Sequence, residues 1–448
     1  MSGTLLTATS NSEQSLTELL ADGLFIDGDW VESKDQNPNG EVRLIQLADV
    51  GDGVFRDRSS RFLTMAKAKE LRCTFLEPGD VLVARMPEPL GRACVFPGVG
   101  QPAVTVVDVC ILRPQLRRVR PEWLVKSINS PQFRSSMQEF VRGTTRQRIS
   151  RKNLGTLRLC VPPVSEQMQV AGVLDRFECR RSSADLHIRC ARRAIDRFRQ
   201  AVLVAACSGL LTADWRERRA SLHESARRLS KIVEPLVEIP DEWSWAQLQD
   251  IADVRGGIQK GAKLRPGEAT REVPYLRVAN VQRGWLDLGE IKTIHVPESK
   301  VEDLRLKPGD ILFNEGGDRD KLGRGWVWEG QIEECIHQNH VFRARLQQRD
   351  MQPRFYSWYG NTIGAGYFVD QGKQTVNLAS LSMTKLKELP VPIPSVEEQA
   401  EIVRRVDEYL AVAERLLARV ETAARRVDHS TQAVLAKAFR GQLVGDLT

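Results

Sequence analysis

The second half of this chain repeats the first, and that repeat constrains the fold more than any other feature. Val161-Pro162-Pro163-Val164-Ser165-Glu166-Gln167 returns as Ile393-Pro394-Ser395-Val396-Glu397-Glu398-Gln399, so Pro162, Glu166 and Gln167 fall on Pro394, Glu398 and Gln399 at an offset of 232. The same offset carries Leu154 and Leu157 onto Leu386 and Leu389, Asp175 onto Asp407 and Phe177 onto Tyr409. It continues through Gln200-Ala201-Val202-Leu203 onto Gln432-Ala433-Val434-Leu435, Ala206 onto Ala438, Gly209 onto Gly441 and Leu211 onto Leu443. Upstream, Pro78-Gly79-Asp80-Val81-Leu82 faces Pro308-Gly309-Asp310-Ile311-Leu312, and residues 44–50 resemble residues 276–281. Solenoid repeats run about 20–50 residues, so a period this long means tandem duplication of a whole domain. A chain of 448 residues has room for two or three domains.

Each copy ends in a long helix. The prolines at 162 and 394 are followed by Ser165 and Ser395, and Ser395 with Glu398 has the S-x-x-E spacing of a capping box. Beyond them apolar or small residues recur at three- and four-residue steps: Val170, Leu174, Phe177, Ala184, Ile188, Ala191, Ile195, Phe198 and Val202, then Ile402, Val406, Tyr409, Ala413, Leu416, Val420, Ala423, Val427 and Val434. The mean step is the coiled-coil period. Two such seams in one chain can satisfy each other, and a pseudo-twofold relation between the copies sets them antiparallel. At 1.5 Å per residue, roughly 40 residues would make a rod about 60 Å long. The parts before the helices read as mixed α/β modules of short β-branched runs broken by Gly and Pro. The expected class is therefore α+β: two tandem mixed modules, each followed by a long helix. The boundaries read as an N-terminal segment 1–22, modules 23–164 and 238–394, a helical spacer 165–237 and a C-terminal helix 395–448.

Lys and Arg outnumber Asp and Glu by 65 to 58, a lean toward a polyanionic partner. The eight cysteines are scattered without a CxxC pair, which fits reduced thiols in a cytosol. No apolar run approaches the ~20 residues of a membrane span, and the N-terminus lacks a signal-peptide pattern, so a soluble cytoplasmic protein is expected.

A module ending in Pro-x-x-x-Glu-Gln, then a long helix, with the whole unit duplicated, resembles the specificity subunits of Type I restriction-modification enzymes. Ile239-Pro240-Asp241-Glu242-Trp243 opens the second module in the family's Pro-x-x-Trp manner, while the first module, with Trp30 in Phe25-Ile26-Asp27-Gly28-Asp29-Trp30, lacks the proline. The resemblance implies a non-catalytic subunit in which each module reads half of a split double-stranded DNA target and the helices fix the unread spacer. It also implies docking of modification (methyltransferase) subunits, two of them, and in some complexes restriction subunits. S-adenosylmethionine, ATP and Mg would then sit on those partners, with no cofactor in this chain.

The chain lacks the Asn/Asp-Pro-Pro-aromatic motif of an amino-methyltransferase. Residues 256–263 depart from a P-loop because Ala262 separates Gly261 from Lys263. Asp310 and Glu315 lack the Glu-x-Lys of a nuclease, and Cys335, His337 and His340 lack a fourth zinc ligand. Neither a catalytic nor a metal site is expected. A structural adaptor using only the paired helices, or a solitary DNA methyltransferase or nuclease, are the alternative readings.

DNA reading needs Lys and Arg on phosphates and Arg, Asn, Gln or Lys on base edges, carried by loops. The candidates in the first module are Arg56, Arg58, Arg61, Arg85, Arg92, Arg146, Arg148, Arg151 and Lys152. Those in the second are Gln259, Lys260, Lys263, Arg283, Arg319, Lys321, Arg324 and Lys373, with the glycine-rich run 314–325 the best single reading loop. The helix face 176–199 carries eight Arg against three acids and suits the acidic surface of a partner better than phosphates.

Overall fold

The computed structural model describes residues 12–87, 89–140, 147–219, 234–259, 268–317, 321–374 and 379–439. The chain divides into two compact units: Met1–Ile188 with Thr422–Thr448, and Arg189–Glu421.

The two units share one topology. In the first, a four-stranded antiparallel sheet runs in the order Leu24–Asp27, Val109–Arg113, Val81–Ala84, Ala93–Val95; the second has Ala252–Arg255, Val341–Leu346, Ile311–Asn314, Gly325–Val327. Beside it, a three-stranded sheet pairs Val42–Ile45 with Phe62–Leu63 antiparallel and with Ala103–Thr105 in parallel. Its counterpart pairs Thr270–Leu276 with Lys292–Pro297 and, in parallel, with Ile336–His337. Strands Val81–Ala84 and Ile311–Asn314 are buried at every position. A strand so covered has both faces packed. Val81 and Val83 join the helical cluster around Trp123 and Leu124, while Leu82 and Ala84 join a second cluster with Phe96 and Ile111.

The duplicated Pro-Gly-Asp sits just before each of these strands. Gly79 and Gly309 have φ of 98° and 94°, a region open to glycine without a Cβ penalty. The turn aims a buried carboxylate at the strand hydrogen-bonded next to it in the sheet. Asp80 receives Nε and Nη2 of Arg113 at 2.7 and 2.8 Å, and Asp310 receives the same atoms of Arg345 at 2.7 and 2.8 Å. The carboxylate partner raises the pKa of both guanidiniums.

Residues before position 23 pair and pack with the first module. Ser12–Ser15 pairs antiparallel with Arg158–Val161, as Ser244–Gln247 pairs with Pro390–Ile393, and Leu16, Leu19 and Leu20 are in the core. The first module therefore includes residues assigned to a separate N-terminal segment. Ser12–Ser15 is short and polar and gains its strand character only from its distant partner.

The long helices are Val164–Cys207 and Val396–Phe439. The Gln of each Glu-Gln pair explains that motif. Gln167 donates to the Pro162 carbonyl at 2.8 Å and accepts from the Arg120 backbone N–H at 2.8 Å; Gln399 does the same with Pro394 at 3.0 Å and Gln352 at 2.9 Å. Arg120 and Gln352 each precede a proline-led helix, Pro121–Ile128 and Pro353–Asn361, so one side chain locks two helix starts together. The capping box at Ser395 is only half formed. Ser395 accepts from the Glu398 N–H at 3.2 Å, but the Glu398 carboxylate, 2% exposed, turns to Thr212 Oγ1 at 2.6 Å, to the Trp243 indole N–H at 2.8 Å and to Arg216. The Trp of the Pro-x-x-Trp opening thus caps the Glu of the Glu-Gln junction.

Within the second unit the helices run antiparallel. Phe198 meets Tyr409 edge to face at 6.1 Å, Arg192 makes a bidentate pair with Glu421 at 2.9 Å, and Val202 and Ala206 share a core with Ile402 and Val406. In the first unit Val170 and Leu174 share a core with Val434, Leu435 and Ala438. Along the expected seam Phe198, Tyr409 and Leu416 are 37%, 43% and 43% exposed, whereas Ile195 and Ala413 are buried. Leu174, Ile402 and Val406 are buried as well, so large and small side chains alike fill the seam. Phe177, Ile188, Val420 and Val427 are half-buried. Among the described residues no helix is long and apolar enough to cross a membrane.

Candidate nucleic-acid interface

The best-built surface loop in each unit is a short hairpin that follows the central strand of the three-stranded sheet. Its base is closed by a buried side chain. Asp49, fully buried, accepts from the N–H groups of Gln46, Arg58 and Ser59 at 2.7, 2.6 and 2.7 Å. In the second unit Asn280 accepts from Arg277 N at 2.9 Å and donates to the carbonyls of Asp287 and Glu290 at 2.9 and 3.0 Å. Both use an Asx turn, in which a short polar side chain replaces a backbone turn partner.

The hairpins proper run from Val50 to Phe55 and from Val281 to Leu286. Each turns on a left-handed glycine, Gly53 at φ 77° and Gly284 at φ 82°. The glycine N–H is tied to the sheet: Gly53 donates to Ala93 O at 2.9 Å and Gly284 to Gly325 O at 3.1 Å. Ala93 and Gly325 are themselves bracketed by an asparagine. Asn129 accepts from Ala93 N at 2.8 Å and donates to Ala93 O at 2.9 Å, and Asn361 does the same to Gly325 at 3.1 and 2.7 Å. Tip residues are anchored too, Asp52 by Arg134 at 2.6 and 3.1 Å and Arg283 to the Asn361 carbonyl at 2.5 Å.

Around the first hairpin, Arg56, Arg58 and Arg61 are exposed, Arg61 donating to Gln36 at 2.8 Å. Arg148 lies 3.0 Å from Asp108, and Arg151 donates to Phe25 O at 3.0 Å with its guanidinium 5.8 Å over the Phe25 ring; Lys152 is exposed. Arg85 and Arg92 differ from the other described candidates in being buried. They are 4% and 5% exposed. Arg92 donates to the carbonyls of Val50, Leu47, Met86 and Pro89, and Arg85 to Val107 O beside Asp27. Both guanidiniums hold loop backbone in place and neither is presented at the surface. Burial pulls the Arg92 pKa down.

In the second module Gln259 is exposed beside Ile258, which bridges Gln338; Lys321 and Arg324 are half-buried, and Arg324 Nη2 lies 3.4 Å from Val278 O. Arg146, Lys260, Lys263 and Arg319 lie outside the described residues, as does the side chain of Lys373. In the run 314–325, Asn314 is buried and donates to Val281 O at 2.8 Å, tying this loop to the hairpin.

The other chemistries do not assemble. Cys335 and His337 are each 1% exposed; burial pushes the thiol up to about 12 and the imidazole down to about 4. His340 pairs with Glu315 at 2.6 Å and Asp310 with Arg345, so neither carboxylate is part of a metal cluster. Among the described residues no three His, Cys, Asp or Glu groups converge on a metal position. Sequence reasoning missed Asn129, Asn361 and the hairpin-closing Asp49 and Asn280. The signal was available, since the offset of 232 carries Asn129 onto Asn361.

Residues 240–422 match the Type I restriction modification DNA specificity domain. The specificity subunit of the EcoKI Type I restriction enzyme of Escherichia coli (strain K12) is 27% identical over 333 residues, covering 72% of this chain and 67% of that one. The EcoBI specificity subunit of Escherichia coli is 29% identical over 356 residues, covering 77% and 70%. Among solved structures, a chain from the type I R-M system, solved for its complex assembly and conformational transition, aligns at a TM-score of 0.64 with 16% identity over 96% of this chain and 98% of that one. The HsdS subunit from Thermoanaerobacter tengcongensis aligns at 0.58 with 17% identity over 96% and 97%. With its modules and junctions duplicated, the chain carries a Type I restriction modification DNA specificity domain over residues 240–422 and is similar to Type I specificity subunits over 72% and 77% of its length.

Proposed function

We propose that this chain reads a bipartite DNA sequence, one half-site per module, as the non-catalytic specificity subunit of a Type I restriction-modification complex. The observation that carries the reading is the duplicated hairpin. Two modules of one topology hold the same bracketed, glycine-turned loop, while the residues at its tip differ between them. A rigid scaffold with variable loops is how one fold reads two different sequences. Arg56, Arg58, Arg61, Arg148, Arg151 and Lys152 in the first module and Gln259, Arg283, Lys321 and Arg324 in the second are the described candidates for phosphate and base-edge contacts. The long helices and the exposed apolar residues on their flanks would dock modification subunits, two in number. Those subunits would carry S-adenosylmethionine and methylate adenine, and restriction subunits using ATP and Mg would join them.

The test is long-read mapping of methylated adenines in the host with the gene present and deleted, together with mass spectrometry of whatever co-purifies with the chain. Loss of one split methylated motif on deletion, and recovery of a methyltransferase subunit, are the expected results. An unchanged methylome with no such partner would overturn the reading.

A further inference from the structure

Both hairpins hold an apolar side chain where the fold has no use for it. The pleat turns Val281 and Leu286 into a core with Leu276 and Trp328, and so turns their neighbours Gln282 and Trp285 outward. Trp285 is 54% exposed. In the first unit Val50 is buried and Phe55 packs edge to face on Phe96 at 5.4 Å, which leaves Val54 outside at 63% exposure. Val54 follows Gly53 as Trp285 follows Gly284, so the two occupy one structural position.

Single exposed apolar residues are common and need no function. Here the same position is apolar and exposed in both copies, on a turn whose backbone is tied to the Asn-bracketed strand. A side chain on so rigid a support loses little freedom on contact. It also stands among the polar candidates, with Arg56 and Arg58 just beyond Val54 and Arg283 just before Trp285.

Valine and tryptophan share only apolar surface, and valine is too small to pry apart stacked base pairs. The apolar group that base-pair edges display in the major groove is the thymine C5 methyl. We infer that Val54 and Trp285 are apolar fingers that each pack on a thymine methyl within their module's half-site. This rests on the DNA-reading function proposed above and adds to it the chemical group read at one position in each half.

The experiment uses the chain assembled with its modification subunits and a duplex carrying the methylated motif, with each thymine replaced in turn by deoxyuridine, which lacks only that methyl. At one thymine in each half-site the replacement should weaken binding about four-fold, what one buried methyl is worth. In Trp285→Ala the penalty should vanish in one half-site and persist in the other, and Val54→Ser should give the mirror result. Both residues are exposed, so the variants should fold and assemble. A penalty that survives both substitutions, variants that bind like the parent, or half-sites without a thymine-specific effect would overturn the inference. If the parental complex bound no motif at all, the underlying DNA-reading function would fail instead, a result visible before any variant is made.

Discussion

Asn129 and Asn361, 232 positions apart, make the same pair of hydrogen bonds to the first residue of the same edge strand, Ala93 in one unit and Gly325 in the other. That residue's carbonyl also receives the hairpin glycine N–H. One amide therefore fixes both the end of the sheet and the height of the hairpin above it.

Asn361→Asp tests that role at constant size. The carboxylate keeps an acceptor for Gly325 N but loses the amide donor, which now serves Gly325 O at 2.7 Å and Ser357 O at 2.9 Å. Buried groups left without partners cost about 1–3 kcal/mol, more when one is charged. Urea denaturation should show a loss of about 3 kcal/mol. DNA discrimination should relax in one half-site only, and Asn129→Asp should relax the other.

Replacing Arg345 by Met strands the Asp310 carboxylate, 1% exposed, without its bidentate partner. Removing one member of a buried pair usually costs about 3–5 kcal/mol, while replacing both is often near neutral. Arg345→Met should therefore lower the urea midpoint strongly, and adding Asp310→Asn should recover much of the loss. Additive losses in that double-mutant cycle would mean that the two side chains are not coupled.

Exposed and buried arginines of the first module should separate in a salt titration. If Arg56 and Arg58 contact phosphates, each alanine substitution should reduce the slope of log affinity against log salt by about 0.9. Arg92→Ala should instead lower the melting temperature and leave the slope unchanged among molecules that remain folded, because its guanidinium holds four backbone carbonyls. Equal slopes for all three variants would remove Arg56 and Arg58 from the interface.

Much of this architecture was legible because duplication writes each constraint twice. The Pro-Gly-Asp turns, the Glu-Gln junctions and the helix starts were all visible as paired motifs, and the structure supplies their reasons in Asp80 and Asp310, Gln167 and Gln399. What stayed hidden depends on partners distant in sequence. Ser12–Ser15 reads as a polar tail until Arg158–Val161 lies beside it. Arg92 and Arg56 look alike in a sequence, and only the fold separates a guanidinium wrapped in carbonyls from one in water. The heptad pattern could place Phe198, Tyr409 and Leu416 near the helix seam but not distinguish its centre from its flank.

His337 gives the second module a sensitivity to acid. It is 1% exposed, and its Nδ1 lies 2.6 Å from the Val341 carbonyl, so Nδ1 carries a proton and donates it. Burial, opposed in part by that hydrogen bond, lowers its pKa from 6.5 to about 4. Below pH 6.5 the unfolded chain takes up a proton that the folded chain refuses, so this contribution to stability is complete above pH 6.5 and is lost as the pH falls to about 4. The lost contribution amounts to about 3 kcal/mol, from ~1.4 kcal/mol per unit of pKa difference. Carboxylates titrate over the same range, so the measurement is a difference between parent and His337→Gln, which retains a donor for the carbonyl but cannot charge. Urea denaturation from pH 7 to pH 4 should show the stability gap between the two proteins shifting in favour of the variant by about that amount. A gap that stays constant across the range would mean that His337 can take up its proton without leaving the fold.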